Sequence, residues 1–359
     1  MTRPSAPAPS IPRNPTDVTP QWVESVLNVG VDAVDVTPIG TGQTGATYRL
    51  AVTYRDDAAD LPDTFAIKLS SQDDEVRERV ALSYRSEHAF YTKVADVVAV
   101  PIPRHYHCEI SDDGGEFVLL LADLAPAVQG DQITGCTIVE ADLAVRALAG
   151  LHGPTWCDPR WPEFPGLVMS MTTEESMKGL GDIAVMAAQM TLDRLGERMT
   201  AEDRDTVNEA MSLVTPWLLA DRHRFALTHG DYRLDNMLFD PERTRVTIVD
   251  WQTLGIGLPA RDLAYFTGTS LLPAARAAAD EDLVATYYAE LMGYGITDYD
   301  RDTCWRDYRV GMLQVPLLSV LGCAFSISTE RGDDMMLVML ERGCRAIRDL
   351  GSLELIRGR

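Results

Sequence analysis

The sequence predicts an α+β chain in two lobes, a small β-rich lobe followed by a larger, mainly helical one. Three observations carry this. At 359 residues the chain is long enough for two domains, or for one domain of two lobes, and can bury a large core. Residues 34–69 alternate strand patterns with a glycine-rich stretch, and Phe117–Leu121 reads as a further buried strand. From Ile138 onward, apolar residues recur at helical spacing. The expected boundaries are a Pro/Ser/Ala-rich disordered tail over 1–18, a β-rich lobe over 19–121, a connector over 122–127 and a helical lobe over 128–359.

Taken in order, Thr19-Pro20 reads as the N-cap and first position of a short helix with Trp22, Val23, Val26 and Leu27 on its apolar side. Gly40, Gly42 and Gly45 then fit G-x-G-x-x-G. Dinucleotide-binding loops share that pattern, but such a loop opens a helix, whereas residues 46–54 carry Tyr, Thr and Val and read as a strand. Glycines in a strand–loop–strand let the backbone approach phosphate groups without a Cβ clash. Thr64–Leu69 is an apolar strand with one lysine, Lys68, and residues 73–95 have a helical pattern that includes Glu87. A strand within 101–109, a turn at Asp112–Gly115 and the Phe117–Leu121 strand complete the small lobe. In the second lobe, Ile138–His152 is a helix stopped by Gly153-Pro154. Helices fill 169–220, and Pro273 starts another.

Composition excludes several classes. A formal net charge of −22 argues against a nucleic-acid partner, which needs a basic face to displace counterions. Six scattered cysteines with no C-x-x-C pair fit free thiols in a reducing cytoplasm and no zinc site. His105 and His107 beside Cys108 lack a matching second pair of ligands. The opening MTRPSAPAPSIPRNP has no apolar core, so a secretory signal is not expected in it. Val310–Ser328 is free of charge, but Gln314, Pro316, Ser319, Gly322, Ser326 and Ser328 mark it as a buried helix and not a membrane span.

The chemistry concentrates in Leu227–Gln252, LTHGDYRLDNMLFDPERTRVTIVDWQ. It carries His229, Asp231 and Asn236, then a polar turn at Asp240–Arg243 and a β-rich run that ends at Asp250. Phosphoryl transfer needs a carboxylate to orient or deprotonate the attacking hydroxyl, and oxygen ligands for magnesium. Asp231 suits the first role, and Asn236 and Asp250 suit the second. H-G-D-x-x-x-x-N followed by I-V-D-W resembles the small-molecule kinases of the aminoglycoside phosphotransferase and choline kinase superfamily, relatives of the protein kinases. Gly230 stands where protein kinases carry Arg, and Trp251-Gln252 where they carry Phe-Gly.

That resemblance implies a bilobal, protein-kinase-like fold. It implies ATP (GTP is the alternative) and Mg2+ as cofactors, with catalytic residues Asp231, Asn236 and Asp250 and metal ligands Asn236 and Asp250. Gly40, Gly42, Gly45 and Lys68 would bind the nucleotide phosphates, and Glu87 would pair with Lys68. Glu75 and Glu78 are alternatives, but Phe90, Tyr91 and Val94 give Glu87 an apolar face at helical spacing. Residues 122–127 would be the hinge that binds the base, and Arg261-Asp262-Leu-Ala places Asp262 as a brace of the catalytic loop. His229 would buttress that loop. His152 with Trp156 matches a packing element of these families. The γ-phosphoryl group would pass to a hydroxyl-bearing small molecule. The wording H-G-D-Y-R-L-D-N, D-W-Q and R-D-L-A-Y-F is similar to bacterial ecdysteroid-kinase-like phosphotransferases and favours a bulky, partly apolar alcohol. The acidic residues Glu174, Glu175, Asp182, Asp193 and Glu197 read as a solvated helix face. Two other readings are a nucleotide-binding pseudokinase and an aminoglycoside-type antibiotic kinase. A protein kinase is disfavoured, because the Arg of H-R-D and an A-P-E segment are missing.

Overall fold

A five-stranded antiparallel sheet is the frame of the first part of the chain in this computed structural model, which describes residues 10–39, 45–55, 60–168, 173–220 and 222–357. Helix α1 (Pro20–Leu27) starts at Thr19, whose side chain accepts from the Trp22 amide, with Pro20 at the first helical position. Strands β1 (Val31–Ile39), β2 (Gly45–Tyr54) and β3 (Thr64–Ser70) follow. Helices α2 (Asp74–Arg79) and α3 (Ala81–Ala89) precede β4 (His105–Ile110) and β5 (Phe117–Ala122). The sheet order is β1-β2-β3-β5-β4, all pairs antiparallel. Strand β3 is central, and its alternation puts Phe65, Ile67 and Leu69 in a core with Leu50, Val118, Leu120, Trp22 and Val23. Lys68 is therefore on the opposite face of β3 from that core.

The single helical run expected over 73–95 is broken. Asp73 caps α2 through the Glu75 and Val76 amides, α2 ends at Val80, and α3 passes into a π-helical turn over Phe90–Val94. The disordered tail expected over 1–18 also gives way in its second half. Asn14 and Asp17 form a capping box around a 3-10 turn at Pro15–Asp17, and Val18 is buried in the sheet's core.

The second part holds β6 (Val128–Gln129), α4 (Ile138–His152), α5 (Glu174–Leu195), α6 (Ala201–Ser212) and α7 (Val214–Leu219). Next come β7 (Ala226–Thr228), β8 (Met237–Phe239), β9 (Val246–Ile248) and β10 (Gly255–Gly257). The chain closes with α8 (Ala260–Ser270), α9 (Pro273–Met292), α10 (Arg301–Gly311), α11 (Gln314–Phe325), α12 (Glu330–Leu350) and α13 (Ser352–Arg357). Helix α4 opens on a capping box between Thr137 and Glu140, and at its end Gly153–Thr155 continues as a 3-10 turn. The centre is α8, buried at every residue but Arg261 and packed against α4, α9, α10, α11 and α12. Its internal Thr267 and Thr269 hydroxyls bond back to the Leu263 and Tyr265 carbonyls, and the Thr267 oxygen also meets the Tyr308 hydroxyl of α10 at 2.9 Å.

Each part has its own contacts, and the division is not a single cut. The first unit comprises the chain up to Ala95, Ile102–Pro126 and Asp250–Gln252, and the second comprises Asp96–Pro101, Ala127–Val249 and Thr253–Arg359. Two short segments therefore depart from the continuous boundaries expected from sequence. The architecture is α+β, a small antiparallel lobe and a larger helical lobe.

Among the described residues, one helical run, Arg301–Phe325, is long and apolar enough to cross a membrane. Its apolar window is 67% buried, and it is interrupted between Gly311 and Gln314. All six cysteines are free thiols.

Candidate active site

In the helical unit, the loop between β7 and β8 carries His229, Asp231 and Asn236. Asp262, 1% exposed at the start of α8, accepts from the His229 amide at 2.7 Å and the Gly230 amide at 3.2 Å. His152 Nε2 lies 3.4 Å from the same carboxylate, and its Nδ1 is 2.6 Å from the Tyr287 hydroxyl. The consistent assignment has Tyr287 donating to Nδ1 and Nε2–H donating to Asp262. Asp262 is thus the loop brace that the sequence resemblance implied, and His152 ties that brace to α4.

His229 holds the loop from the other side. Its Nε2 is 3.1 Å from the Val249 carbonyl and its Nδ1 accepts from the Asp231 amide at 3.3 Å. Thr253 donates its hydroxyl to the His229 carbonyl at 2.8 Å. The Val249 amide donates to the Asn236 carbonyl at 3.0 Å, so the loop and the strand that leads to Asp250 are joined.

Gly230 explains why this loop reads H-G-D. Its φ is +79°, and a Cβ there would fall inside the contact distance of the Thr253 carbonyl oxygen. An arginine at this position would be strained by the left-handed backbone and would lack the space for its Cβ.

Asp231 and Asn236 are brought together. The Asn236 Nδ2 donates to the Asp231 carbonyl at 2.8 Å and to its Oδ2 at 3.0 Å. Two partners that the sequence reading missed complete the cluster. Arg233 Nε donates to Oδ1 at 2.9 Å and Oδ2 at 3.0 Å, and the Tyr265 hydroxyl donates to Oδ1 at 3.0 Å. Burial alone pushes the Asp231 carboxyl up, but Arg233 with Tyr265 outweighs it and holds the group below its ordinary value. Asp231 is therefore a charged hydrogen-bond acceptor and a weak base.

In the β-rich unit, Lys68 sits between two carboxylates. Its Nζ lies 2.7 Å from Glu87 Oε2 and 3.1 Å from Asp250 Oδ1. Glu75 and Glu78, the alternatives, are exposed on α2. Burial works against the Lys68 charge, yet Asp250 and Glu87 together raise its pKa above the ordinary value. Burial also pushes the Glu87 carboxyl up, against the pull of Lys68. Asp250 takes φ +67°, in the left-handed region where non-glycine residues are uncommon and where strain gathers at functional positions. Trp251 is buried after it, stacked on Phe90 at 3.6 Å between centroids, and its carbonyl accepts from the Ser86 hydroxyl at 3.1 Å. The two residues thus seat the Asp250 turn on α3 and its π-helical extension. Gly45 opens β2, whereas Gly40 and Gly42 lie outside the described residues.

A small recess of about 50 Å³ in the helical unit borders the loop at Gly230. Leu180, Trp217, Leu218, Ile256 and Leu317 give it a mainly apolar wall. Arg261 also lines it, its guanidinium 3.9 Å from the Trp217 ring centroid. The acidic residues of α5 (Glu174, Glu175, Asp182 and Asp193) and Glu197 after it are all exposed.

Two stability predictions follow from these contacts. Removing one partner of a buried ion pair leaves the other charge uncompensated, so Lys68→Met is expected to cost about 3 kcal/mol in urea unfolding. The double variant Lys68→Met/Glu87→Leu should recover much of that loss, and a single variant as stable as wild type would contradict the pairing. Gly230→Ala should cost about 2 kcal/mol, from the left-handed backbone and the crowding at Thr253. Unchanged thermal unfolding of Gly230→Ala would show that the loop adopts another shape.

The model of the phosphotransferase enzyme family (APH) matches residues 35–301. A putative aminoglycoside phosphotransferase from Ralstonia eutropha superposes with a TM-score of 0.55 at 18% identity, covering 94% of this chain and 97% of that one. The GDP complex of aminoglycoside 2'-phosphotransferase-IIIa gives a TM-score of 0.51 at 16% identity over 88% of this chain and 94% of that one. At these identities the likeness is one of fold. Acyl-CoA dehydrogenase family member 11 of Gallus gallus is 41% identical over 177 residues, 47% of this chain but 20% of that protein. Family member 10 of Mus musculus is 40% identical over 68 residues, 18% of this chain and 6% of its own length. The chain therefore matches only a minor part of these curated relatives. With the family model covering most of its length and the H-G-D loop and lysine cluster in place, the chain belongs to the phosphotransferase enzyme family, whose fold and small-molecule kinase character it shares.

Proposed function

We propose that the protein transfers the γ-phosphoryl group of ATP to a hydroxyl of a partly apolar small molecule, with Mg2+, in the cytoplasm. The observation that carries this reading is Lys68, held at 2.7 Å by Glu87 and 3.1 Å by Asp250 in a chain that also presents Asp231 on a braced loop. Lys68 would take the α/β-phosphates, with Glu87 fixing its position, and the backbone of Gly40, Gly42 and Gly45 would line the phosphates.

Asn236 and Asp250 would hold magnesium. Their chemistry fits. The Asn236 nitrogen is spent on Asp231, which leaves the amide oxygen as its remaining donor atom, and Asp250 keeps 39% of its side chain exposed. Magnesium takes oxygen ligands, and one or two from protein suffice when phosphates and water supply the others. When bound, it neutralises charge on the phosphates.

Asp231 would orient the alcohol oxygen toward the γ-phosphorus. The new O–P bond forms as the bond to the β–γ bridging oxygen breaks, and ADP leaves with that electron pair. The hydroxyl proton passes to Asp231 and on to solvent. With its pKa held down, Asp231 contributes by position more than by basicity, as a loose transition state allows. The apolar recess beside Gly230 and the solvent-facing acidic residues of α5 and its end support a partly apolar alcohol over a polycation such as an aminoglycoside. The named activity of the acyl-CoA dehydrogenase relatives is consistent with an acceptor that carries an aliphatic chain.

Thermal unfolding with ATP, with and without magnesium, tests the nucleotide reading. Stabilisation that depends on magnesium is expected in wild type and lost in Asp250→Ala. Asp231→Ala should keep the stabilisation while turnover on a panel of alcohols falls by at least about a hundredfold. Full turnover in either variant would overturn the assignment, and stabilisation indifferent to magnesium with no turnover would favour the pseudokinase.

A further inference from the structure

The Asp231 carboxylate accepts from three donor groups, and 28% of its side chain is exposed. A carboxylate presents two oxygens and about four lone-pair positions. At Asp231, Oδ1 accepts from Tyr265 at 3.0 Å and Arg233 Nε at 2.9 Å, and Oδ2 accepts from the same Nε at 3.0 Å and from Asn236 at 3.0 Å. An entering hydroxyl competes with these donors for the lone pairs.

Two of them are locked. Asn236 is buried and its Nδ2 is also bonded to the Asp231 carbonyl, and Tyr265 is buried within α8. Arg233 is different. One N–H is shared between both oxygens, a weaker arrangement than two separate bonds, and 18% of its side chain is exposed. It also has a second anchor, since its Nη1 donates to Asp235 Oδ2 at 2.7 Å. Asp235 is itself fixed by the Gln132 amide, which donates to its Oδ1 at 3.1 Å. A guanidinium that leaves Asp231 therefore stays paired.

We propose that Arg233 is a positioning residue that guards Asp231, pivoting on Asp235 to admit the acceptor alcohol and otherwise holding the carboxylate's lone pairs against an attacking water. This rests on the reading of the chain as an ATP-dependent phosphotransferase. Water in the alcohol's place would bond to the γ-phosphorus as the bond to ADP breaks, ADP would leave with the electron pair, and the proton of water would pass to Asp231. Closing that route preserves ATP until an acceptor arrives.

The test needs no acceptor. Full-length wild type, Arg233→Met, Arg233→Lys and the double variant Asp231→Asn/Arg233→Met are incubated with MgATP alone, and ADP release is followed. Arg233→Met is expected to hydrolyse ATP about tenfold faster than wild type, equivalent to ~1.4 kcal/mol of barrier. Arg233→Lys, which keeps the charge but loses the shared N–H geometry, should show a smaller rise and carries the test if the methionine variant does not fold. The double variant should return to the wild-type rate or below. Single variants no faster than wild type overturn the guard, and so does a double variant as fast as Arg233→Met. Thermal unfolding with MgATP separates the two failures. Wild type stabilised by MgATP with no gain in Arg233→Met sinks the guard alone, whereas no stabilisation of wild type sinks the phosphotransferase reading and the guard with it.

Discussion

Asp262 is the interaction on which the helical unit's chemistry depends. Its buried carboxylate takes the amides of His229 and Gly230 and contacts His152, so one side chain joins the loop to α8 and α4. Backbone amides that turn away from secondary structure need a buried partner, and a carboxylate that takes two of them fixes the turn between them. Gly230 takes φ +79° where a Cβ would collide with the Thr253 carbonyl oxygen, and that conformation aims its amide at Asp262. The next residue, Asp231, is presented as a consequence. Its neighbours on α8 follow from helical spacing, since Tyr265 lies three residues after Asp262 and on the same face.

The two carboxylate clusters solve the same problem of keeping charge buried and use it differently. In the β-rich unit, one ammonium is shared by Glu87 and Asp250, so the positive charge is fixed in place on the central strand. In the helical unit, one guanidinium is shared by Asp231 and Asp235, through separate N–H groups. Arg suits the second arrangement because its donors can serve two carboxylates at once, and Lys suits the first as a compact point charge.

Much of this was legible in the sequence wherever a local rule and a long-range motif agreed. Helix α4 could be read from Ile138 to His152 because apolar period, cap and Gly-Pro stop coincide. Glu87 could be chosen over Glu75 and Glu78 because only it is followed at helical spacing by Phe90, Tyr91 and Val94, all buried. The break at Val80 and the π-helical turn had no Gly or Pro to announce them, and tertiary packing decided them. At the other end, Asn14-Pro15-Thr16-Asp17 does contain the capping signal, but the proline-rich composition before it masked the turn. Arg233 and Tyr265 escaped because the contact with Asp231 obeys no sequence period. Arg233 reaches back two residues within a loop, and Tyr265 comes from 34 residues away. The signal that could have found Tyr265 was the face it shares with Asp262. The separation of Asp250–Gln252 from its chain neighbours was also invisible, since it shows only in long-range contacts such as those of Lys68 with Asp250 and of Ser86 and Phe90 with Trp251.

The most direct test of this account is amide hydrogen exchange at His229 and Gly230 in wild type and in Asp262→Asn, followed by NMR. The substitution keeps the shape of the side chain but turns one acceptor oxygen into a donor, so one amide of the pair loses its partner. The account predicts slow exchange at both amides in wild type, and fast exchange at one or both in Asp262→Asn while the interior of α8 stays protected. Equal protection in the two proteins would mean that something other than Asp262 shapes the loop, and the presentation of Asp231 would need another cause.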